Sequence, residues 1–356
     1  MQNRIVDGLF RLFRANETRI HELNYLFWEC TTRCNLHCRH CGSDCTAPGS
    51  EKDMPLEDFL RAFDTLPLER MSDEMTVVLT GGEPLLRPDI EAIGKALQQR
   101  RVGWSMVTNG YWYSQQLHNR LMSAGLGALT ISLDGLEEEH DWMRGLKGCY
   151  SRTLNAISIA AKEYWLNFDV VTCVNQRNLT QLQQIHDLLA SLGVRRWRLF
   201  TIIPIGRAKD SPELHLSNNQ FVQLMEFIKE KRQHKEAAMK VSFGCEGYLG
   251  KYEREVRQNP YMCHAGINIA SVLIDGTICG CPNIDRQVFA QGNIYRDNLW
   301  EVWQNRFLPF RNRDWARKGQ CKECKMFKNC LGNGMHNWHG DCKEVLNCHY
   351  NKILQA

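Results

Sequence analysis

Short β-rich runs alternate with amphipathic helical stretches over about half of this chain, from residue 23 to residue 201. Such alternation requires parallel strands with helices packed outside the sheet, because each connection crosses over. Six units are too few to close an eight-stranded barrel, so the pattern predicts an α/β fold with a partial (β/α)6 TIM-like barrel. The expected strands are residues 25–29, 76–79, 104–108, 129–133, 168–174 and 196–202, and the helices are residues 55–66, 88–101, 114–124, 151–164 and 179–191.

The composition fits one large domain and one small domain. The chain has 356 residues, 43% of them hydrophobic, and its net charge of +4 argues neither for nor against nucleic acid. No apolar run is long enough to span a membrane, and no signal peptide is visible. The first residues have an apolar helical face. A helix packed on the domain is expected there, with a membrane-surface helix as the alternative.

The sixteen cysteines fall into two groups. Without a signal peptide, clustered cysteines more often bind metal than form disulfides. The distribution therefore predicts two metal-bearing regions joined by a cysteine-poor scaffold. The front group is Cys30, Cys34, Cys38, Cys41 and Cys45, the back group is Cys245, Cys263, Cys279, Cys281, Cys321, Cys324, Cys330, Cys342 and Cys348, and Cys149 and Cys173 lie between them.

Within the front group, Cys34, Cys38 and Cys41 have the spacing C-x3-C-x2-C. An iron–sulfur cube is normally held by four thiolates, so three of them leave one iron open to a small molecule. A zinc site or a merely cysteine-rich region is the alternative, since Cys30 and Cys45 flank the trio. Zinc sites usually pair two short knuckles, and no matching knuckle lies close by.

Polar residues lie at the carboxyl ends of the second, third and fourth predicted strands. The run Gly81-Gly82-Glu83-Pro84 comes after the second strand and Asn109 after the third, while Ser132 and Asp134 lie at the end of the fourth. Glycines allow close backbone approach to a ligand, and Glu83 can accept hydrogen bonds from an ammonium group. An ordinary turn is the alternative. In barrels of parallel strands, chemistry takes place at these carboxyl ends.

The trio and the Gly-Gly-Glu-Pro run about 40 residues later together resemble the signature of the radical S-adenosylmethionine (SAM) superfamily. The resemblance implies that the trio holds a [4Fe–4S] cluster whose open iron chelates SAM. Electron transfer from the cluster then yields a 5′-deoxyadenosyl radical. It also implies that the residues 81–84 hold the SAM amino group, and that Ser132 and Asp134 contact its ribose and carboxylate.

Two further stretches resemble the peptide-modifying branch of that superfamily. Residues 140–145 read H-D-x-x-R-G, and Arg144 within them can pair with a carboxylate, with a surface salt bridge as the alternative. Residues 204–208 read P-x-G-R-A and are expected to shape the adenine end of the pocket.

The back third has tryptophans, glycines and cysteines in place of the β-α rhythm, after a helix expected at residues 218–234. Its spacings C-x12-G-x4-C and C-x2-C-x5-C, followed by a final cysteine, resemble the SPASM domain, which carries up to two auxiliary [4Fe–4S] clusters. The resemblance implies one cluster on Cys321, Cys324, Cys330 and Cys348, and another on Cys263, Cys281 and an upstream cysteine, for which Cys245 is the candidate.

One position departs from the SPASM pattern, because Gly334 stands where a cysteine is expected. Cys279 or Cys342 could substitute, an iron could be left open for substrate, or this auxiliary cluster could be absent. The neighbouring residues 335–339, rich in Trp and His, are expected to pack the small domain or to line a substrate channel.

These features predict a radical SAM enzyme that modifies a peptide or protein side chain, with an electron donor such as flavodoxin or ferredoxin. Because its radical chemistry needs a strongly reducing, oxygen-poor setting, the expected location is the cytoplasm of an anaerobe or microaerobe. The predicted regions are an N-terminal helix (1–22), a barrel (23–215), a connecting helix (216–240) and a SPASM-like domain (241–356). No catalytic acid or base is identifiable.

Three alternatives remain. The first is an anaerobic sulfatase maturase that forms formylglycine, although Gly334 and the lack of an aspartate directly after Cys281 speak against it. The second is action on a small molecule or porphyrin. The third is a non-catalytic electron-transfer or zinc protein, which would leave the strand-end motifs unexplained.

Overall fold

The computed structural model describes residues 2–43, 45, 52–71, 75–233 and 237–356. It confirms the predicted α/β class with a parallel sheet, and each of the six predicted strands is present. The strands are β1 (Tyr25–Thr31), β2 (Thr76–Gly81), β3 (Gly103–Thr108), β4 (Leu126–Ser132), β5 (Asn167–Cys173), β6 (Arg196–Phe200), β7 (Lys240–Phe243), β8 (Ile269–Val272), β9 (Thr277–Cys279) and β10 (Gly292–Asn293).

Helices occupy each of the predicted connections, with boundaries shifted by a few residues. The expected helix at 218–234 ends at Gln233, and residue 234 lies outside the described residues. The helices are α1 (Gln2–Ile20), α2 (Leu56–Phe63), α3 (Ile90–Gln99), α4 (Gln115–Ser123), α5 (Glu137–Arg144), α6 (Cys149–Ala161), α7 (Leu182–Ser191), α8 (Asn218–Gln233), α9 (Arg286–Phe289), α10 (Leu299–Asn305), α11 (Leu308–Arg311), α12 (Phe327–Cys330) and α13 (His349–Leu354).

The strands form one sheet in the order β10-β9-β8-β1-β2-β3-β4-β5-β6-β7. Strands β1 to β7 are parallel to their neighbours, and β8 pairs in parallel with the free edge of β1. The sheet is therefore wider than the six predicted strands. The sheet continues across the predicted domain boundary at residue 240, because β7 begins there. The predicted domain limits therefore stay a prediction.

The core lies between the sheet and its helices. Strand β1 is buried along nearly its whole length, as expected for a parallel strand covered on both faces. Trp28 on this strand stacks on Phe59 of α2, with ring centroids 4.0 Å apart. Cys30 is fully buried and its thiol donates to the carbonyl of Thr80 at 3.5 Å. Cys30 is thus a core residue and is held away from the loop that follows.

Helix α1 packs on the C-terminal region through polar contacts. The Arg14 guanidinium is buried and donates to the carbonyls of Asn329 and Lys328 at 2.7 and 2.6 Å. The apolar side chains of Leu9 and Leu12 are instead more than half exposed, at 61% and 69%. None of the described helices has an apolar stretch of the length that spanning a membrane requires.

Candidate functional site

The three front cysteines lie on the loop that follows β1, here called the cysteine loop (residues 32–43). Cys34, Cys38 and Cys41 belong to one packed cluster that also contains Leu36 and Cys149 of α6. Burial raises the pKa of the Cys34 thiol to about 11. The Cys45 side chain hydrogen-bonds to the Cys41 sulfur, which lowers the pKa of Cys41 to about 5. The predicted trio is therefore brought together, and Cys45 supports one of its members.

The spacing of the thiols distinguishes a cluster from a single zinc ion. Thiolates that share one tetrahedral zinc, with Zn–S near 2.3 Å, would be about 3.8 Å apart. Within the described residues, no three cysteines have sulfur atoms that all lie within 4.8 Å of one another. The described cysteines thus do not have the close spacing of a preformed mononuclear zinc site.

The two glycines after β2 allow the cysteine loop to pass close by. A side chain on Gly81 would lie 2.2 Å from the carbonyl oxygen of Thr31, and one on Gly82 would lie 2.1 Å from that of Arg33. The amides of Gly82 and Glu83 donate to these same two carbonyls, each at 2.8 Å. The close approach seen here is therefore to the start of the cysteine loop.

We expect Gly82→Ala to displace the cysteine loop, because its methyl group would overlap the carbonyl of Arg33. Overpacking of this kind typically destabilises a protein by about 1–3 kcal/mol. Iron bound after anaerobic reconstitution should fall by the content of one cluster, measured beside wild type. Gly127→Ala is the matched control, because its nearest contact would be an ordinary 3.6 Å. Equal iron loss in both variants would contradict this account.

Glu83 is buried at the carboxyl ends of β2 and β3, with 1% of its surface exposed. Its carboxylate accepts hydrogen bonds from the Leu85 amide at 3.1 Å, the Thr108 hydroxyl at 2.7 Å and the Asn109 amide at 2.8 Å. Burial raises the pKa of this carboxyl, and the three donors oppose that rise. Two oxygens offer about four acceptor positions, so one remains for a ligand. Thr108 is a site residue that sequence reasoning missed.

Asn109 connects this carboxylate to the cysteine loop. Its side-chain amide donates to the Asn35 side chain at 2.9 Å, next to Cys34, while its backbone amide holds Glu83. Pro84 is buried and begins a short 3-10 helix that Glu83 caps. The predicted residues 81–84 and Asn109 thus form one unit with the cysteine loop.

Asp134 and Arg144 form a buried ion pair beside the cluster cysteines. Arg144 Nη2 lies 2.6 Å from Asp134 Oδ2, and both side chains are less than 10% exposed. The other guanidinium nitrogen, Nη1, donates to Cys38 Sγ at 3.7 Å. Of the two alternatives for Arg144, the structure shows pairing with a carboxylate and not a surface salt bridge, and the partner is the buried Asp134 that follows β4. Ser132 ends β4 with its side chain half-buried.

Burial alone would raise the pKa of Asp134, but the Arg144 guanidinium holds it below its usual value. The backbone amide of Cys173 also donates to Asp134 Oδ1, at 2.8 Å. His40 Nε2 lies 3.7 Å from the other oxygen, and burial lowers the pKa of this histidine to about 4, so its ring is neutral at pH 7. Its position between Cys38 and Cys41 was the only sequence signal for His40.

The two stretches that resemble the peptide-modifying branch, residues 140–145 and 204–208, contact the backbone of the cysteine loop. Arg39 donates from its amide to the carbonyl of Met143 at 2.8 Å, and Gly145 packs against His37. Arg207 donates from Nε to the carbonyl of Cys38 at 2.8 Å and from its amide to that of Cys41 at 3.0 Å. Both stretches thus contact the loop that carries the thiols.

Four cysteines of the back group surround one cavity in the C-terminal region. Apolar side chains such as Phe327 and Val345 complete its wall. The amide of Asn333 donates to Cys330 Sγ at 3.1 Å, and hydrogen bonds of this kind tune cluster sulfurs. Burial raises the pKa of Cys330 to about 12. The arrangement fits an auxiliary [4Fe–4S] cluster, and the four cysteines that line the cavity are Cys321, Cys324, Cys330 and Cys348.

The remaining predicted ligands form a third group. Cys245, Cys263 and Cys281 lie close enough to interact electrostatically. After burial, a negative sulfur on Cys263 contributes to the raised pKa of Cys245, and negative sulfurs on both contribute to the raised pKa of Cys281. Cys279 is buried in β9 and its thiol donates to the carbonyl of Phe289 at 3.5 Å. Cys342 is buried next to Lys318 and Asp285 instead.

Two family models match the chain, and each covers part of one of the two cysteine-rich regions. Residues 28–189 match the model of the Radical SAM superfamily, and residues 263–325 match SPASM, an iron-sulfur cluster-binding domain. The chain is a radical SAM enzyme with a C-terminal SPASM region, and its cofactors are SAM, a [4Fe–4S] cluster and auxiliary iron–sulfur clusters. The thiol groups described above fit these cofactors.

Two kinds of curated relative match most of the chain. The AdoMet-dependent heme synthase of Methanosarcina barkeri is 27% identical over 322 residues, which cover 86% of this chain and 89% of the relative. The mycofactocin maturase MftC of Mycobacterium tuberculosis is 29% identical over 315 residues, or 87% of this chain and 78% of the relative.

Solved structures share the fold at lower identity. Streptococcus suis SuiB bound to the precursor peptide SuiA superposes with a TM-score of 0.70 and 14% identity, covering 92% of this chain and 75% of that chain. Native anSMEcpe with bound AdoMet and Cp18Cys peptide superposes with a TM-score of 0.71 and 18% identity, covering 94% and 96%. These likenesses support the fold alone.

Proposed function

We propose that this radical SAM enzyme modifies a side chain of a peptide or protein by an oxidative reaction. The observation that carries the proposal is the auxiliary site of four cysteines around one cavity. Oxidation of a substrate after loss of a hydrogen atom releases an electron, and a nearby cluster can accept it. The similarity to the mycofactocin maturase supports a peptide as the substrate class.

When bound, the cluster and SAM supply a 5′-deoxyadenosyl radical that takes a hydrogen atom from the substrate. In this proposal Cys34, Cys38 and Cys41 hold the cluster. Glu83 accepts from the SAM amino group through its remaining acceptor position, with its carboxylate oriented by Thr108 and Asn109. Thr108 and Asn109 fix the carboxylate before the ligand arrives, which reduces the ordering that binding requires.

We assign different roles to Ser132, Asp134 and Arg144. The Ser132 hydroxyl makes no hydrogen bond within the described part of the chain and is available to the ribose of SAM. Asp134 is engaged by Arg144 and Cys173, so we assign it a positioning role. Through Arg144 it orients a donor toward the sulfur of Cys38.

The test uses deuterium transfer from a labelled substrate pool. Peptides below about 10 kDa are extracted from cells of the source organism grown in deuterated medium, then incubated with reconstituted enzyme, SAM and dithionite. We expect deuterium in the 5′-deoxyadenosine product, detected by mass spectrometry. Transfer only from a tetrapyrrole fraction, with none from peptides, would overturn the peptide proposal.

A tetrapyrrole is the second candidate substrate, because the heme synthase of Methanosarcina barkeri matches 86% of this chain. The same assay with iron coproporphyrin III as the probe tests it. Loss of a hydrogen atom to the 5′-deoxyadenosyl radical, of a proton and an electron, and of carbon dioxide would convert a propionate to a vinyl group. A product lighter by carbon dioxide and two hydrogen atoms for each converted propionate would support this candidate, while an unchanged porphyrin would exclude it under these conditions.

We also propose that the electron for SAM cleavage comes from a flavodoxin or ferredoxin in the cytoplasm. Replacing dithionite with a reduced flavodoxin should then sustain 5′-deoxyadenosine formation. A sulfatase-maturase activity is less well supported, because Pro282 and not an aspartate follows Cys281.

A further inference from the structure

The departure at Gly334 has a local explanation in the structure. A side chain built on Gly334 would lie 2.5 Å from Cε1 of His336 and 3.0 Å from its Nδ1. The backbone at Gly334 has φ −65° and ψ 144°, which any residue can adopt. Glycine is thus not required there by the backbone. Its lack of a side chain leaves room for the His336 ring, which occupies the space that a cysteine would fill.

The His336 ring is held in an orientation that leaves one nitrogen free. The carbonyl of Glu246 accepts a hydrogen bond from the ring. Nε2 is buried and has no hydrogen-bond partner among the residues that the structure describes, so the donating nitrogen is Nδ1. An unpaired buried polar atom is costly, and a bound ion is one of the explanations that native structures provide for it. Burial lowers the pKa of His336 to about 3, so the ring is neutral at pH 7.

A neutral imidazole that donates from one nitrogen to a backbone carbonyl is the usual state of a metal-bound histidine. The carbonyl fixes the tautomer, and the lone pair of the other nitrogen points to the metal. His336 is already in this state. Because its proton is on Nδ1, binding of Nε2 to iron would displace no proton.

The residue that holds the ring is adjacent to a predicted cluster ligand. Glu246 follows Cys245 directly, and its buried carboxylate accepts from the Thr201 amide at 2.7 Å and from His349 Nε2 at 3.2 Å. The backbone at Cys245 is thus anchored from two sides. His336 is attached to the same short segment as the first of the three thiols Cys245, Cys263 and Cys281.

We infer that Nε2 of His336 is the fourth protein ligand of the first auxiliary cluster, completing the set of Cys245, Cys263 and Cys281. The alternatives Cys279 and Cys342 are engaged elsewhere, the first with the carbonyl of Phe289. The inference rests on the SPASM region and not on the proposed peptide substrate, so its test contains neither SAM nor substrate.

A histidine ligand would also change what the cluster does. Replacing an anionic thiolate with a neutral imidazole removes one negative charge, and histidine ligation raises the reduction potential of clusters in this way. The cluster would then accept an electron more readily than one with four thiolates. His336 would favour the oxidative outcome proposed above.

The experiment starts from the Cys34/Cys38/Cys41→Ala background, which leaves only the auxiliary sites. We expect about eight irons per chain there, and about four after His336→Ala is added. His339→Ala is the matched control, because this neighbouring histidine is partly exposed and lies beside Asp285. It should keep about eight irons. Because three thiolates can also hold a cluster with one open iron, retention of about eight irons in the His336→Ala variant overturns the inference if its cluster also keeps the spectrum and potential of the background protein.

Two further readouts separate ligation from a structural role. With ¹⁵N-histidine labelling, pulsed electron paramagnetic resonance of the reduced background protein should show nitrogen coupling to iron, and its absence would overturn the inference even if His336→Ala fails to fold. The Gly334→Cys/His336→Ala variant should recover about eight irons without that coupling. Its cluster should have a more negative potential, whereas an unchanged potential would indicate that His336 does not bind iron.

Discussion

Arg144→Met should abolish binding of the front cluster and strongly destabilise the barrel. The substitution leaves Asp134 buried and unpaired, and breaking a buried ion pair in this way typically costs about 3–5 kcal/mol. It also removes the donor to Cys38 Sγ. We expect loss of about four irons per chain and no detectable 5′-deoxyadenosine. Iron content, chemical denaturation and product analysis measure the three effects.

Two variants control for this result. Arg120→Met breaks an exposed pair with Glu91 at 3.2 Å, so its effect should be at most about 1 kcal/mol. Adding Asp134→Asn to Arg144→Met removes the unpaired charge and should restore part of the stability. If Arg144→Met were as stable as Arg120→Met and kept all its iron, the buried pair would have no such role.

Glu83→Ala is expected to have the second largest effect. It removes an acceptor shared by Leu85, Thr108 and Asn109, and each buried donor left unsatisfied costs about 1–3 kcal/mol. It also removes the proposed partner of the SAM amino group. A charge-assisted hydrogen bond is worth about 1.5–3 kcal/mol, so SAM affinity should fall by about 10- to 100-fold.

Thr108→Val separates these two contributions. It removes one donor to Glu83 and leaves the carboxylate in place, so stability should fall slightly and SAM affinity should change less than about fivefold. Equilibrium binding of SAM to reconstituted protein measures both variants. Equal loss of affinity in Thr108→Val and Glu83→Ala would mean that Glu83 acts only as a structural acceptor.

The sheet was predictable where strands are long and buried. Strands β1 to β6 are rich in β-branched and aromatic residues and alternate with helices, so their pattern was clear. Strands β7 and β8 have four residues each, outside that rhythm, and they pair with β6 and β1 only through the tertiary fold. A local pattern could not show that the C-terminal region extends the barrel sheet.

The grouping of the front cysteines was predictable, and the contacts that support their loop were less so. The spacing of the front cysteines placed three thiols on one loop, and the structure brings them together. Glu83 contacts Thr108 and Asn109 at the end of the neighbouring strand β3, and Arg144 reaches Cys38 on the loop after β1. These contacts join distant parts of the sequence and have no spacing signal. His336 was not predicted as a ligand, because the SPASM pattern expects a cysteine at position 334 and does not specify a histidine nearby. Only the packed structure shows the ring that fills the space.

The central claim is that Cys34, Cys38 and Cys41 hold the reactive cluster while the SPASM region holds others. The most direct test is the iron and sulfide content of the Cys34/Cys38/Cys41→Ala variant beside wild type, with 5′-deoxyadenosine formation measured on both. We predict about twelve irons in wild type, about eight in the variant, and no SAM cleavage by the variant. A variant that keeps the iron content of wild type, or that still cleaves SAM, would contradict the claim.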